Sequence, residues 1–430
     1  MDFLTWLPLI FVFVLLALRV PVCLSFISGA LLYFGFIAPE LPLSMTLSKM
    51  VTSGMSINLL AIPFFITSGL LMDRSGLSAK LLGLADTLVG HFWGGLAQVN
   101  VLLSAFNGGL TGSGNADAAM DCKMLVPEME RRGFNRAFSA AVSATSALIA
   151  PMIPPGVCLI LYATTTETSV VDMFMAGYLP GILMTIAEML AVCYVSHRDG
   201  YKPTREKRAS LKEIGKAAVD SFWAILLIVF LIVGLRSGLV TASEGGAALC
   251  LLCAFVGTFI YKQLTVQDYK EIFQDAFVST ANIFGIIVSA TVFGLYLTYA
   301  QIPRHLTEIM LSISHSPMTF LLVVNVMLLI MGMFVDGAAI IMIAAPMLYP
   351  AAMEFGIDPI HFGIVMILNL SLGGLTPPFG AGLYQCCNLC NVEMPEFLKQ
   401  VKELFLALLI VLILVTVFPW ISTFLPYAAK

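Results

Sequence analysis

Apolar residues run along this chain in blocks of about 20 positions, separated by short polar or glycine-rich stretches. The blocks do not alternate with period two, so they predict helices rather than strands; a membrane barrel would show alternating segments of ~10 residues. Ten spanning helices are predicted, near 4–18, 20–37, 54–72, 137–168, 172–196, 219–236, 243–261, 276–297, 361–391 and 403–425. Two further apolar regions, 92–127 and 317–350, are interrupted by "NGGLTGSGNADAAM" (107–120) and "MGMFVDGAAI" (331–340). Each reads as a helical hairpin that enters and leaves on one side. Two of the spans carry proline pairs deep inside them, "APMIPPGV" (150–157) and "GGLTPPFG" (373–380).

Composition agrees with a polytopic α-helical membrane protein. Of 430 residues, 59 % are hydrophobic and 11 % charged, against about 25 % charged in soluble domains; mean hydropathy is +0.95. No basic tract is interleaved with aromatics, so no nucleic-acid partner is expected. The N-terminal "MDFLTWLPLIFVFVLLALRVPV" lacks a basic n-region and a cleavage motif and is expected to remain as the first span. The nine cysteines lie mostly in apolar segments and read as small packing groups; Cys386, Cys387 and Cys390 lack the partners a metal or redox site needs. The only long polar loop, 197–216, holds seven Lys/Arg, which places it in the cytoplasm and both termini outside.

The chain contains a duplication. "MLVPEMERRG" (124–133) matches "MLYPAAMEFG" (347–356) at an offset of 223, and the same offset carries Pro154 and Pro155 onto Pro377 and Pro378. It also carries Gly109 onto Gly332, Gly114 onto Gly337 and Ser146 onto Asn369. A fixed offset without gaps is the mark of a repeated unit. Five spans separate equivalent spans, so the copies are expected to be inverted. Charge agrees: Arg74, Lys80, Lys123, Arg131, Arg132 and Arg136 flank the first hairpin, and only Arg304 flanks the second. The predicted layout is scaffold spans in 1–53, a first repeat in 54–196, a cytoplasmic loop and scaffold spans in 197–275, and a second repeat in 276–430.

Inverted repeats with broken helices place substrate and ion sites near the bilayer midplane. Proline lacks an N–H and displaces the carbonyl four residues back, so backbone oxygens are released. In lipid, such oxygens survive only where protein, water or an ion satisfies them, and Na⁺ is one such partner. A single proline pair merely kinks a span; two at repeat-equivalent positions, each beside a glycine-rich hairpin, point to a site.

"GLTGSGNADAAMDCKMLVPEMERRGF", "APMIPPG" and "GGLTPPFG" together resemble the large membrane subunit of tripartite ATP-independent periplasmic (TRAP) transporters, over essentially all of the chain. The resemblance implies an elevator-type fold, like that of other ion-coupled transporters, in which a transport domain of two hairpins and two broken helices moves against a scaffold. It further implies Na⁺-driven uptake of a small organic acid across the bacterial inner membrane. A separate small four-helix membrane subunit and a periplasmic substrate-binding protein are the implied partners. Sialic acid, a C4-dicarboxylate, another sugar acid and a keto acid all remain open as cargo. Members that take sialic acid carry an arginine upstream of the second hairpin's aspartate; here "GLYLTYAQIPRHL" offers only Arg304.

Candidate substrate contacts are Gly112, Ser113, Gly114 and Asn115 in the first tip, Asp336 and Gly337 in the second, and Pro154, Pro155, Pro377 and Pro378 at the breaks. Glycines let backbone approach a ligand, and helix N-termini after such turns aim N–H groups at an anion. At least two Na⁺ sites are expected, built largely of carbonyls: one from Gly109, Gly112, Ser113, Ser146, Ala150 and Ile153, the other from Gly332, Asp336, Asn369, Gly373 and Thr376. Ser146 and Asn369 read equally well as packing groups, and Asp117 as a favourable anion in a helix's first turn. Glu188, mid-span, reads as a scaffold ion pair or a small-subunit contact. No Walker A, HxxxH or GxSxG pattern is present, so no enzyme is expected. A binding-protein-independent symporter or antiporter and, more remotely, a channel are the alternatives.

Overall fold

A computed structural model describes residues 3–428 apart from 19, 56, 378 and 379. All regular structure among the described residues is helical. The chain opens with α1 (Phe3–Ala17) and α2 (Val22–Leu32), which continues as a π turn over Tyr33–Ile37. Pro21 precedes α2, where its fixed φ and missing N–H end one helix and start the next. α3 (Leu43–Gly54), α4 (Ala61–Arg74) and α5 (Leu77–Val89) follow. α3 and α5 occupy stretches predicted to be connections. α5 buries Leu77, Leu81, Leu84 and Ala85 on one stripe, too narrow to raise the average hydropathy to that of a span.

The first repeat continues with α6 (Gly95–Thr111), α7 (Gly114–Arg131), α8 (Arg136–Ser146), α9 (Val157–Thr166) and α10 (Val170–Asp199). The basic loop is not all loop: Ser210 and Glu213 form a reciprocal capping box that starts α11 (Leu211–Asp220). α11 bends by 73° into α12 (Phe222–Arg236). α13 (Ala242–Phe255) and α14 (Val266–Tyr299) come next. α14 has 34 residues, about 51 Å at 1.5 Å per residue, so its polar start "VQDYKEIFQD" clears a hydrocarbon layer of about 30 Å. α15 (Ile302–Ile313) turns through 117° into α16 (Pro317–Gly332). α17 (Gly337–Glu354), α18 (Pro359–Gly373), α19 (Ala381–Cys390), α20 (Met394–Val417) and α21 (Trp420–Ala428) complete the chain. The expected single span 403–425 is two helices, because Pro419 stops α20.

Among the described residues, five helices are long and apolar enough to cross alone, or seven if each bent pair counts as one crossing. Prolines, glycines and π turns cut the remaining apolar blocks.

The 223-residue offset governs the structure in detail. α7 and α17 start at Gly114 and Gly337 and end at Arg131 and Glu354. Gly133 and Gly356 then adopt positive φ. Asn135 caps α8 through Ala137 N and Phe138 N, and Asp358 caps α18 through Ile360 N and His361 N. Each of these pairs differs by the same 223 positions.

The helices pack in two groups. Around α14, Arg74 of α4 meets Glu271 at 2.5 Å and Asp275 at 3.4 Å, Phe26 of α2 stacks on Phe293, and Tyr296 Oη donates to Thr5 O. The hairpins and broken helices form the other group with α10, α20 and α21. Here Tyr162 Oη donates to Pro359 O at 2.7 Å, His361 meets Ser422 at 2.8 Å and Arg198 meets Glu403 at 2.8 Å. Asn369 Nδ2 donates to Asn325 O (2.9 Å) and Oδ1 (2.8 Å), and Asn325 Nδ2 donates to Thr416 Oγ1 (3.0 Å). Replacing Asn369 by leucine leaves the half-buried Asn325 Oδ1 without this donor. The expected loss is about 1–3 kcal/mol, read as a lower thermal midpoint in detergent; an unchanged midpoint would remove this network from the stability account.

Candidate functional site

Glycine and the lack of a continuing ladder shape the first tip. α6 ends at Gly112 in the left-handed region, φ 58°. A Cβ there would collide with the Pro155 carbonyl oxygen and lie 3.0 Å from its carbon. Ser113 is extended and begins α7. Gly114 packs on the first break, where a Cβ would stand 2.8 Å from Ala147 O. In the second tip, Asp336 caps α17 by accepting from Ala338 N at 3.0 Å. Gly337 faces Leu370 Cβ, the repeat equivalent of the Gly114–Ala147 contact. One residue pair crosses backbone on backbone: a Cβ on Gly332 would lie 2.9 Å from Gly373 Cα.

Both breaks lie against these tips. Between α8 and α9 the chain makes turns over 147–156, with a cis bond between Pro154 and Pro155. No backbone N–H among the described residues donates to the carbonyls of Ala150, Met152, Ile153, Pro154 or Pro155. The second break is better satisfied. Gly373 O accepts from Thr376 N, Gly374 O from Gly382 N, and Thr376 O from Gly380 N, although each carbonyl keeps a second lone pair.

Tips and breaks enclose a cavity of about 410 Å³, within the range of small-molecule sites. One wall is α4 and α14, with Ile66, Asp73, Ser279 and Ile286; the other comprises the tips, Ala147, Pro151, Gly374 and Leu375. The N-termini of α7 and α17 open into it, so unpaired N–H groups from both repeats face one space. Three acidic residues border it, Asp73 and Asp336 exposed and Asp117 buried just behind the surface, and among the described residues no Lys, Arg or His does. The undescribed tip and break side chains at 109–111 and 378–379 add no base, because the sequence there is Gly-Leu-Thr and Pro-Phe.

Of the predicted residues, Gly112, Ser113, Gly114, Asn115, Gly332, Asp336 and Gly337 line this cavity. The Asn115 carbonyl accepts from Gln385 Nε2 of α19 at 2.9 Å, tying the first tip to the second broken helix. Ala150 and Ile153 lie behind, against Gly108 of α6. Pro154, Pro155 and Pro377 are not part of the lining; the first two are buried behind the Gly112 tip, so their side chains build the break rather than a substrate surface. Ser146 Oγ donates to Asn100 Oδ1 at 3.2 Å and Asn369 is held by Asn325, so both tie a broken helix to the first arm of its hairpin. Thr376 Oγ1 donates to Leu372 O at 2.9 Å. Gly373 sits at the backbone crossing. The surroundings of Gly109, and all of Pro378, lie outside the described residues. Arg304 is exposed and paired with Glu308, away from the cavity. Glu188 forms no ion pair: it accepts from Thr145 of α8 inside the hairpin group.

Asp73 was not among the predicted site residues. It follows directly on the span predicted to end at 72, and only the packing of α4 against the tips brings it, still exposed, to the edge of the cavity.

A family model described as "Tripartite ATP-independent periplasmic transporter, DctM component" matches residues 9–421. The sialic acid TRAP transporter large permease protein SiaM of Vibrio cholerae is 36 % identical over 368 residues, covering 86 % of each chain. The C4-dicarboxylate TRAP transporter large permease protein DctM of Pseudomonas aeruginosa is 35 % identical over 400 residues, covering 93 % of each. The 2,3-diketo-L-gulonate TRAP transporter large permease protein YiaN of Escherichia coli is 33 % identical over 370 residues, covering 86 % of this chain and 87 % of its own. The solved structure of the Alcanivorax borkumensis YdaH transporter superposes with a TM-score of 0.60 at 15 % identity, covering 89 % of this chain and 88 % of that one; this likeness concerns the fold alone.

Proposed function

The chain belongs to the DctM component family of tripartite ATP-independent periplasmic transporters, and from that premise we propose how this multi-pass large permease, which is not an enzyme, moves an organic acid. It imports a small organic anion across the bacterial inner membrane, driven by Na⁺, with a small four-helix membrane subunit and a periplasmic binding protein as partners. Both termini face the periplasm, and the two repeats are inverted.

One observation supports the Na⁺ coupling: three acidic residues and, among the described residues, no base border the cavity. An organic anion entering it meets like charge from Asp73 and Asp336, which are exposed there, and from Asp117 just behind them. Helix N-termini contribute about half a positive charge each, too little to neutralise an acid together with Asp73, Asp117 and Asp336. Cations bound alongside supply the missing charge, and anion binding in turn favours cation binding, which is the reciprocity coupling requires. Free carbonyls in the first break and the Gly332–Gly373 crossing of the second provide oxygen ligands close to both tips. The hairpin group then moves past the α4–α14 wall once its charges are covered, as an elevator. The cargo is a monocarboxylate or dicarboxylate of the size that about 410 Å³ admits.

Proteoliposomes holding the chain with its small subunit and binding protein test this. Uptake is expected to be saturable, to need an inward Na⁺ gradient and to stop without the binding protein. Uptake undiminished with choline in place of Na⁺ would overturn the coupling, and uptake undiminished without the binding protein would favour an autonomous symporter. Thr376→Ala is expected to cut Na⁺-dependent uptake at least tenfold with membrane insertion intact; near-normal uptake would remove the Thr376 hydroxyl from the ion site.

A further inference from the structure

Beside the cavity, inside the first hairpin, lies a group of oxygens that neither backbone-carbonyl site uses. Asp117 and Asp121 are one turn apart on α7 and both are fully buried, so their carboxylates share a face. Ser104 of α6 donates to Asp121 Oδ2 at 2.8 Å. Among the described residues the remaining Asp121 oxygen has no hydrogen-bond partner, and neither do the two oxygens of Asp117, although Ser104 and Asn107 stand beside Asp117. Asp117 borders the cavity, with both of its oxygens buried behind the cavity surface.

Among the described residues no positive side chain answers this charge. Asp73 of α4 and Glu188 of α10 face the pair from neighbouring elements and add only like charge. Arg74 is occupied by Glu271 and Asp275, and Lys123 is exposed, two positions beyond Asp121. Two adjacent buried carboxylates without a counter-charge are costly at membrane depth. The oxygens present (four carboxylate and one hydroxyl) are those a hard cation takes.

We propose that Asp117, Asp121 and Ser104 form a further Na⁺ site inside the first hairpin, distinct from the two sites at the breaks. The inference rests on the Na⁺-coupled reading above. An ion here joins α6 to α7 and screens the cavity from two negative charges, so substrate and this ion favour one another.

Equilibrium binding of radioactive sodium to the purified full chain tests the site without any substrate. Asp121→Asn is nearly isosteric and keeps a partner for Ser104; it is expected to bind one Na⁺ fewer per chain than wild type, with unchanged helicity and monodispersity. Ser104→Ala is expected to keep the count but need several-fold more Na⁺ to fill it. Equal counts and affinities in wild type and both variants would overturn the site. So would an infrared carboxylic-acid band in saturating Na⁺ that Asp121→Asn removes, because the pair would then hold a proton. If wild type binds no Na⁺ at all, the coupling itself fails; if uptake depends on Na⁺ but the counts agree, only this site does.

Discussion

Gly112→Ala is expected to reduce Na⁺-driven uptake to below a tenth of wild type, with the protein still folded in the membrane. Two effects coincide at this position. The left-handed backbone, φ 58°, costs a non-glycine residue about 1–2 kcal/mol. The added methyl also meets the Pro155 carbonyl oxygen, which is backbone and has no rotamer to yield. The tip must withdraw from the break, and both the free carbonyls of 150–155 and the α7 N-terminus lose their common focus. Sites of this kind tolerate little displacement, since misplacement by about 1 Å costs on the order of a hundredfold in the step they serve. Gly133→Ala is the matched control. It has positive φ as well, 86°, but nothing lies within 4 Å of its Cβ, so it carries only the backbone strain and should transport normally. Equal loss in both variants would mean that strain in the fold, and not contact at the break, decides the outcome.

Asp336 separates charge from helix capping. Its carboxylate caps α17 through Ala338 N and also lines the cavity. Asparagine caps as well as aspartate, while alanine forfeits about 1 kcal/mol. Asp336→Asn should therefore unfold at the wild-type temperature, and Asp336→Ala somewhat lower. Uptake should fall in both, at least tenfold at sub-saturating Na⁺, which corresponds to about 1.4 kcal/mol of cation binding. Stability and transport thus rank the three side chains differently. Wild-type Na⁺ affinity in Asp336→Asn would confine Asp336 to capping and remove it from the ion site.

Several features were legible from residue order alone. Apolar blocks gave the helices, and glycine-rich interruptions marked both tips to within a few residues. The offset of 223 set Gly114 on Gly337, where α7 and α17 both begin; the matching caps at Asn135 and Asp358 came only with the structure. These are local matters of periodicity, φ > 0 and missing N–H groups, which a chain carries in its own covalent structure. α3, α5, α11 and α15 were missed because their apolar stripes are narrow, and a hydropathy average does not register a stripe.

Tertiary packing decided which polar groups meet. It brought Asp73 to the edge of the cavity, set Asp121 against Ser104 across the hairpin, placed Glu188 on Thr145, and moved Pro154 and Pro155 behind the cavity they help to shape. No spacing rule predicts such meetings, because they join residues 17 to 43 positions apart or on different helices. The repeat prescribes two equal halves, but the energy of a buried charge depends on what the other half places beside it. The balance at the cavity of three acidic residues and, among the described residues, no base is invisible along the sequence and is fixed only when the helices close around it.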